Sequence, residues 1–294
     1  MTTRFDRLGL LATFVRVAER RSLTAAARDL GLSQPSVSRQ IAALEDALGT
    51  SLLRRTTHDV TPTPDGTALL ADARRLLAEW EVLQDRHRAE AALRGTIRVV
   101  APVALGQTLL VRGLAPFLTA HPDLSIDWRL QDEPIRWAEA GCDAWIKVGS
   151  VPDDTLLTQV LGQVERLVVG HPCPSDASPL ADRPWITLGP FEGDAIDLLD
   201  DAGRHHRFTV RPRLASGNIF AVLEAVRAGL GVAILPRWLV AADLVDGTLV
   251  DAAPDLRAAR LPVTLATAPG ARRPARVERF RDALVAWGKA HLEP

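Results

Sequence analysis

The chain has 294 residues, a formal net charge of −1 and a hydrophobic fraction of 47%. This balance is typical of a globular protein with two domains or one large one, so it excludes a low-complexity or highly charged disordered chain. The charge is unevenly distributed, because residues 1–58 contain nine Arg and five Asp or Glu, a net of +4 that leaves −5 for the rest. This basic N-terminal block indicates an anionic partner for that part of the chain.

No signal peptide, membrane-spanning run or metal-ligand spacing is recognisable in the sequence. The two cysteines, Cys142 and Cys173, have no neighbouring metal-ligand pattern. The sequence therefore predicts a reduced cytoplasmic protein with no membrane partner, no metal and no cofactor.

The first 62 residues predict three helices followed by a β-hairpin, or wing. The spacing of apolar residues predicts a first helix over about 8–21 and a second over 24–30. Ser33 is a good N-cap for a third helix, which tolerates Pro35 in its first turn and ends at Gly49. The segment "TSLLRRTTHDVTPTP" predicts two short strands with a basic tip.

The third helix begins with hydrogen-bonding side chains instead of apolar ones. In a helix-turn-helix, the second helix of the motif lies in the DNA major groove and its first residues contact base edges. Gln forms paired hydrogen bonds with adenine, and Arg forms them with guanine. Val37 packs inward between these polar positions. The polar side chains of the first turns are Gln34, Ser36, Ser38 and Arg39.

A long helix is predicted from Thr63 to Gly95, with apolar positions at steps of 4, 3, 4, 3 and 4. Such a repeat forms a coiled-coil seam. A lone helix between two domains would leave that seam in water, so we predict that it pairs with a second copy. The predicted dimerisation positions are Leu69, Ala73, Leu76, Trp80 and Leu83, with His87 next in the series.

After Gly95, strands and helices alternate, which predicts an α/β layer with a mostly parallel sheet. The chain is expected to cross into a second lobe around Leu161–Arg166 and to return before a last helix at about Arg276–Leu292. Two lobes leave a cleft, a usual place for small ligands. Trp145 and Lys147 share one face of the strand "DAWIKVG", so they offer an aromatic ring and a cation to the cleft if that face borders it.

The sequence resembles the LysR-type transcriptional regulators. The long N-terminal match comprises Leu11, Phe14, Ser22, Ala26–Ala27, Leu30, "SQPSVSRQI" (Ser33–Ile41), Leu44–Glu45, Gly49, "LL.R" (Leu52–Arg55) and "TP.G" (Thr63–Gly66). A weaker match covers "GTIRVVAPVALG", "CDAWIKVGSVP" and "AVRAGLGVAILP". Leu53 stands where the family usually has Phe.

The resemblance implies a mixed α and α/β fold with three parts. These are a winged helix-turn-helix in residues 1–62, a dimerising linker helix in residues 63–94 and an effector-binding domain in residues 95–294. The effector domain would resemble periplasmic binding proteins. Its lobe 1 would cover about 95–161 and 267–294, and its lobe 2 about 162–266.

The resemblance also implies roles for individual residues. The predicted DNA contacts are Thr24, Ser33, Gln34, Pro35, Ser36, Ser38, Arg39, Arg55 and His58. The predicted effector contacts are Val103, Ala104, Trp145, Lys147, Ser216 and Asn218. Ala104 stands where the family often has a hydroxyl, while the helix N-terminus there still favours an anion. We therefore expect an apolar or aromatic carboxylate as effector.

The expected function is a transcriptional regulator, not an enzyme. A homodimer or homotetramer would bind double-stranded DNA at an imperfect palindrome under the control of a small organic molecule. One alternative keeps the DNA-binding role with a redox signal through Cys142 and Cys173. Another is a solute-binding-like protein without a regulatory role, which would require a signal peptide and no helix-turn-helix. The pair His205–His206 is expected to lie in a solvated loop.

Overall fold

The computed structural model describes residues 6–55, 59–87, 93–172, 178–189, 194–269 and 273–292. The α-helices of this part of the chain are α1 (Arg7–Arg20), α2 (Leu23–Leu30), α3 (Gln34–Leu48), α4 (Pro64–His87), α5 (Val103–Leu105), α6 (Val111–Ala120), α7 (Trp137–Ala140), α8 (Ile219–Arg227), α9 (Arg237–Asp246) and α10 (Ala275–His291). The strands are β1 (Leu53–Arg55), β2 (Val60–Pro62), β3 (Gly95–Ala101), β4 (Leu124–Leu130), β5 (Ala144–Val148), β6 (Leu157–Gly170), β7 (Trp185–Leu188), β8 (Ala195–Leu199), β9 (His205–Thr209), β10 (Pro212–Ser216), β11 (Ala233–Pro236), β12 (Val250–Asp251) and β13 (Arg257–Thr267).

Helices α1, α2 and α3 pack around one apolar core, and their ends lie within one residue of the predicted positions. Ser22 Oγ accepts a hydrogen bond from Ala25 N, and Ser33 Oγ accepts one from Ser36 N, so both hydroxyls cap helix N-termini. Gly49 ends α3 in the left-handed conformation with φ +68°. The local signals in the sequence thus fix all three helices.

The predicted wing is an antiparallel pair of β1 and β2, joined tightly to its neighbours. Glu45 Oε1 accepts hydrogen bonds from Leu52 N at 2.8 Å and Leu53 N at 3.3 Å, which ties α3 to the wing. Gly66, in the first turn of α4, also packs closely beside the start of the wing, because a Cβ there would clash with Leu52 O. Helix α3, the wing and helix α4 therefore form one packed unit.

The linker helix α4 is described as far as His87, and Gly95 does not end it. Gly95 instead opens β3 with φ +98°. The prediction of a helix running up to Gly95 is therefore wrong at its end. The positive φ suits glycine at a change of chain direction just before the first strand of the sheet.

The principal sheet is mixed, and the prediction of a mostly parallel sheet is wrong. Its main strand order is β11-β6-β13-β5-β3-β4. Strand β3 runs parallel to β4 and β5, whereas β13 runs antiparallel to β5 and β6. The long strands β6 and β13 carry the chain out of one lobe and back into it. They must run in opposite directions, so their pairing is antiparallel.

Two lobes with separate cores lie on either side of these crossover strands. The first core contains Ile97, Val99 and Phe280, and the second contains Ile186 and Val222. The predicted crossing point falls within β6, while α9 and β8 were not predicted. The lobe and domain limits given above remain predictions.

One helical stretch, Val103–Ala120, is long and apolar enough to cross a membrane by length and composition, with a mean hydropathy of 1.3. It includes a π-helical turn, Gly106–Leu110, between α5 and α6. Leu105, Leu110 and Leu114 are buried in the first lobe's core. A core helix of a globular domain passes the same test, so the stretch is weak evidence for a membrane span.

Candidate DNA-binding and effector sites

The start of α3 presents polar side chains on an exposed face. Gln34, Pro35 and Arg39 are exposed, whereas Val37 and Ile41 are fully buried in the core below them. The buried pair fixes the rotation of α3 about its own axis. The exposed side chains are therefore held away from the domain, as binding in a groove requires.

Hydroxyl groups organise this face. Ser33 Oγ lies 2.9 Å from Ser36 Oγ, and Arg39 Nη2 donates to Ser36 Oγ at 3.3 Å. Ser36 and Ser38 are half-buried, and Thr24 is exposed in the first turn of α2. The guanidinium of Arg39 is thus oriented by its neighbour before any DNA is bound.

The wing lies beside the α1–α2 turn. Arg21 has a left-handed φ of +50° and its Nη2 lies 2.7 Å from Asp59 Oδ2. Val60 N also donates to Arg21 O at 3.1 Å. Arg55 lies opposite Val60 in the hairpin, but its side chain and all of His58 fall outside the described residues. The two predicted wing contacts therefore stay predictions.

The predicted dimer seam divides into an exposed half and a buried half. Leu76, Trp80 and Leu83 are 42%, 42% and 40% exposed, large values for apolar side chains on one helix. Leu69 is half-buried against the N-terminal core, and Ala73 is fully buried within it. The prediction for Ala73 is therefore corrected: this part of α4 packs on the chain's own helices and is not free to meet a second copy.

A cavity that is partly open to solvent lies between the two lobes. Its walls are largely apolar, and they come from lobe 1, from lobe 2 and from both crossover strands. The lining residues are Pro102, Ala104, Leu105, Gln131, Asp132, Trp145, Ile146, Lys147, Val148, Val164, Arg166, Leu188, Gly217, Ile219, Ile234, Pro236, Trp238 and Leu261. Of the predicted effector contacts, Ala104, Trp145 and Lys147 belong to this set.

The remaining predicted contacts lie next to the cavity and not among these lining residues. Ser216 Oγ accepts a hydrogen bond from Asn218 N at 3.1 Å, and Asn218 Oδ1 caps α8 by accepting one from Phe220 N at 2.9 Å. Gly217, between them, lines the cavity. Val103 donates its backbone N–H to Asp132 Oδ1 at 3.0 Å. Three of the six predicted side chains are thus in place to shape the walls instead of facing the cavity.

Trp145 does not present the open aromatic face that was predicted. Its side chain is 2% exposed and packs in a cluster with Val100, Leu156 and Ala266. Burial on the sheet face accounts for this position without a ligand. Trp145 is therefore a closed wall of the cavity.

Polar groups in the cavity walls are few. Lys147 Nζ donates to Val148 O at 3.3 Å, and burial lowers the pKa of this ammonium group. Burial raises the pKa of the Asp132 carboxyl. Trp238 Nε1 is buried and has no hydrogen-bond partner among the described residues. An unpaired buried N–H is unfavourable, so it marks a place where a ligand acceptor would be stabilising.

Trp238 was missed because α9 was missed. The run "RWLVAADLVD" after Pro236 has the apolar spacing of a helix, and Pro at that point is compatible with a helix start. That signal was present in the sequence. Trp238 and Lys147 line the same cavity although they are 91 residues apart in the sequence (238 − 147), and this proximity depends on the pairing of the lobes.

The surroundings of Cys142 disfavour its thiolate form. Burial raises its pKa to about 12, so the thiol stays protonated near neutral pH, and the thiolate is the form that oxidants attack. Cys173, the other half of the predicted redox pair, lies outside the described residues. The environment of Cys142 gives no support to the redox alternative.

Comparisons with known proteins agree with this architecture. A family model described as "LysR substrate binding domain" matches residues 90–289, and one described as "Bacterial regulatory helix-turn-helix protein, lysR family" matches residues 8–67. The chain is 30% identical to the HTH-type transcriptional regulator PtxR of Pseudomonas aeruginosa, over 96% of this chain and 93% of that protein. It is 29% identical to the uncharacterized HTH-type transcriptional regulator YhjC of Escherichia coli, over 98% of this chain and 100% of that protein.

A solved structure has the same fold over the full length. Full-length LysG of Corynebacterium glutamicum, with its bound effector Arg, superposes with a TM-score of 0.65 at 19% identity, covering 98% of this chain and 100% of that chain. The predicted family and fold class are both confirmed. The chain belongs to the LysR family of transcriptional regulators.

Proposed function

We propose that this regulator acts in the cytoplasm as a homo-oligomer that binds a palindromic operator and responds to an apolar carboxylate in the inter-lobe cavity. The observation that carries the DNA-binding part is the exposed polar face of α3. Gln34 and Arg39 project from a helix whose opposite side is fixed by buried Val37 and Ile41. These two side chains form the paired hydrogen bonds that distinguish adenine and guanine in the major groove.

The linker helix α4 supports the homo-oligomer part of the proposal. Leu76, Trp80 and Leu83 form an exposed apolar stripe on α4 with heptad spacing. Pairing this stripe with a second copy removes it from water. Two recognition helices would then meet two half-sites, which explains a palindromic operator.

The cavity favours a ligand with an apolar body and one anionic end. Ile219, Ile234 and Leu261 supply apolar walls, while Lys147 supplies a partly desolvated cation. A carboxylate beside Lys147 would restore the stability of its charged form and could accept a hydrogen bond from Trp238 Nε1. LysG, which shares the fold, was solved with a small-molecule effector, and this supports a ligand role for the domain.

Selection from a random duplex library with the full-length protein tests DNA reading. We expect enriched sequences to contain two inverted half-sites whose centres lie about 10 base pairs apart or a multiple of that. Enrichment of single half-sites, or of no sequence at all, would contradict the proposal of a palindromic operator.

Thermal shift of the full-length protein with paired carboxylates and amides tests the cavity. A bound ligand raises the melting temperature by mass action, so aromatic or aliphatic carboxylates should shift it and their neutral amides should not. Lys147→Met should abolish the shift. Lys289→Met is the matched control, because Lys289 is exposed on α10. Equal shifts by acids and amides would refute the carboxylate class.

A further inference from the structure

A buried carboxylate joins the DNA-binding helices to the effector domain of the same chain. The Glu19 side chain, near the end of α1, is 5% exposed. Its oxygens lie 3.4 Å from Arg16 Nη1, 3.6 Å from Arg74 Nη2 and 3.8 Å from Arg98 Nη2. Arg16 belongs to α1, Arg74 to the linker helix α4 and Arg98 to β3 of lobe 1. We call these four residues the Glu19 cluster.

Lobe 1 closes tightly over this cluster. Gly141, after α7, has φ +61°, and a Cβ there would lie 2.5 Å from Arg74 Nη2 and 2.8 Å from Glu19 Oε1. Asp143 fixes the backbone of Arg98 from the same turn. Its Oδ2 accepts from Arg98 N at 2.8 Å, and its own N–H donates to Arg98 O at 2.7 Å. The DNA-binding helices and lobe 1 are therefore closely packed at this contact.

Glu19 is the only anion among the four residues of the cluster. Burial lowers the pKa of Arg74, and it also lowers that of Arg16. Asp29 lies 3.6 Å from Arg16 at the edge of the cluster, and the carboxyl groups of Asp29, Asp127 and Asp143 also interact electrostatically with Arg98. Without the Glu19 charge, the largely buried Arg74 would lose its ion pair with Glu19 at the domain contact, which is unfavourable.

We propose that the Glu19 cluster docks the DNA-binding helices on lobe 1 and thereby sets the spacing between the two recognition helices of the dimer. This goes beyond the proposed function, and only its DNA-spacing test rests on that function. An operator with the correct half-site separation would bind without breaking the contact, and other separations would be penalised.

The cluster and the cavity are connected through two neighbouring strands of the lobe 1 sheet, β3 and β5. Arg98 and Val100 alternate onto the same face of β3, and Val100 pairs with Trp145 of β5. Lys147, two residues further along β5, lines the cavity. The separation is four strand residues, or about 13 Å. Any rotation of lobe 1 on cavity closure would therefore carry the DNA-binding helices with it.

Amide hydrogen exchange on the full-length protein tests the contact itself. Glu19→Gln should speed exchange of the Gly141 and Cys142 amides and of the last turn of α1 by about tenfold or more, because the domains separate. Glu79→Gln is the matched control, since Glu79 forms an exposed ion pair with Arg75 at 3.4 Å. A folded Glu19→Gln protein with wild-type exchange at these amides would overturn the proposal.

A second variant reaches the contact from the lobe 1 side. Gly141→Ala should produce the same faster exchange, because its Cβ would press on Arg74 and Glu19. Gly247→Ala controls for backbone strain, since Gly247 has φ +79° and no atom lies within 4 Å of its ideal Cβ. If Glu19→Gln does not fold, the comparison of Gly141→Ala with Gly247→Ala still tests whether the domain contact exists. Equal exchange in the two glycine variants would overturn the proposal.

Binding to a series of duplexes tests the role in spacing. With the half-sites found by selection, moving them apart by 2 base pairs should weaken wild-type binding by about tenfold or more, and Glu19→Gln binding by about threefold or less. Equal losses in both proteins would refute the spacing role. If selection finds no operator, the proposed function fails, while the exchange measurements still decide whether the contact exists.

Discussion

The recognition surface and the inter-lobe cavity are built in opposite ways. The predicted base-reading side chains lie within the first turns of one helix, α3, between Gln34 and Arg39. The cavity is lined by residues from Pro102 to Leu261, drawn from strands, loops and helices of two lobes. A surface on one helix depends on the packing of that helix alone, whereas the cavity exists only when several distant segments meet.

This difference predicts how each region responds to substitution. On α3, buried Val37 and Ile41 hold the helix, and exposed residues can change without altering the fold. In the cavity, Trp145 is both a wall and a core residue, so its removal would alter packing as well as binding. The exposed stripe of α4 is an intermediate case, because it is local in sequence but, under the proposed function, pairs with a second copy.

The largest effect is expected from replacing both Leu76 and Trp80 with Glu. The double variant would place like charges in a desolvated seam, so the protein should become monomeric. Loss of linked half-site binding should weaken affinity for the selected operator by about 10²–10⁴-fold. Sedimentation and a binding titration measure both effects. Val245→Glu, at a 90% exposed valine on α9, is the control. A soluble double variant that stays dimeric would place the seam elsewhere.

Gly66→Ala tests whether the wing, the linker and the recognition helix form one rigid unit. The added Cβ would meet the Leu52 carbonyl oxygen, a backbone atom that cannot rotate away. We expect a loss of at least about 1–3 kcal/mol in unfolding free energy, as for overpacked cores. Denaturant unfolding measures it. Gly189→Ala should be near neutral, since its ideal Cβ meets no atom within 4 Å. Equal stability of the two variants would show that the backbone around Leu52 moves to accommodate the Cβ, so the three elements are not one rigid unit.

Arg39→Ala tests whether α3 alone carries base reading, in contrast to the cavity, which needs several segments. Specific affinity should fall by about 1–3 kcal/mol, while binding to a scrambled duplex stays nearly unchanged. Titrations of both duplexes at one fixed salt concentration measure this. Arg28→Ala, at an exposed position on α2, is the control for loss of a positive charge. Equal losses on both duplexes would make Arg39 a phosphate contact.

The smallest effect is expected from Trp238→Phe, which removes one N–H and keeps an aromatic ring. Affinity for a carboxylate found by thermal shift should fall by about 0.5–1.5 kcal/mol, the usual net contribution of one hydrogen bond. The unliganded protein should be no less stable, because an unpaired buried donor is lost. Calorimetry and thermal melts measure the two quantities.

Trp137→Phe controls for the loss of an indole outside the cavity lining. If Trp238→Phe binds the carboxylate as tightly as the wild type does, the indole N–H does not contact the ligand.

The sequence by itself determined the local elements of the N-terminal region. Apolar periodicity placed α1 and α3, Ser33 and Gly49 set the ends of α3, and the ordered motif identified the family. These features depend on interactions between residues a few positions apart. Helical spacing also predicted the exposed stripe at Leu76 and Trp80.

The tertiary structure decided everything that depends on which segments meet. Helical spacing placed Ala73 on the seam, but the packing of α4 on α1 buries it. Trp145 has the strand alternation of a cavity residue, yet the packing of its sheet face closes it off. In the sequence, nothing distinguishes Glu19 from other charged residues. Only the fold brings Arg74 and Arg98 beside it. Periodicity fixes the face on which a side chain lies, whereas its partners follow from the path of the chain between distant elements.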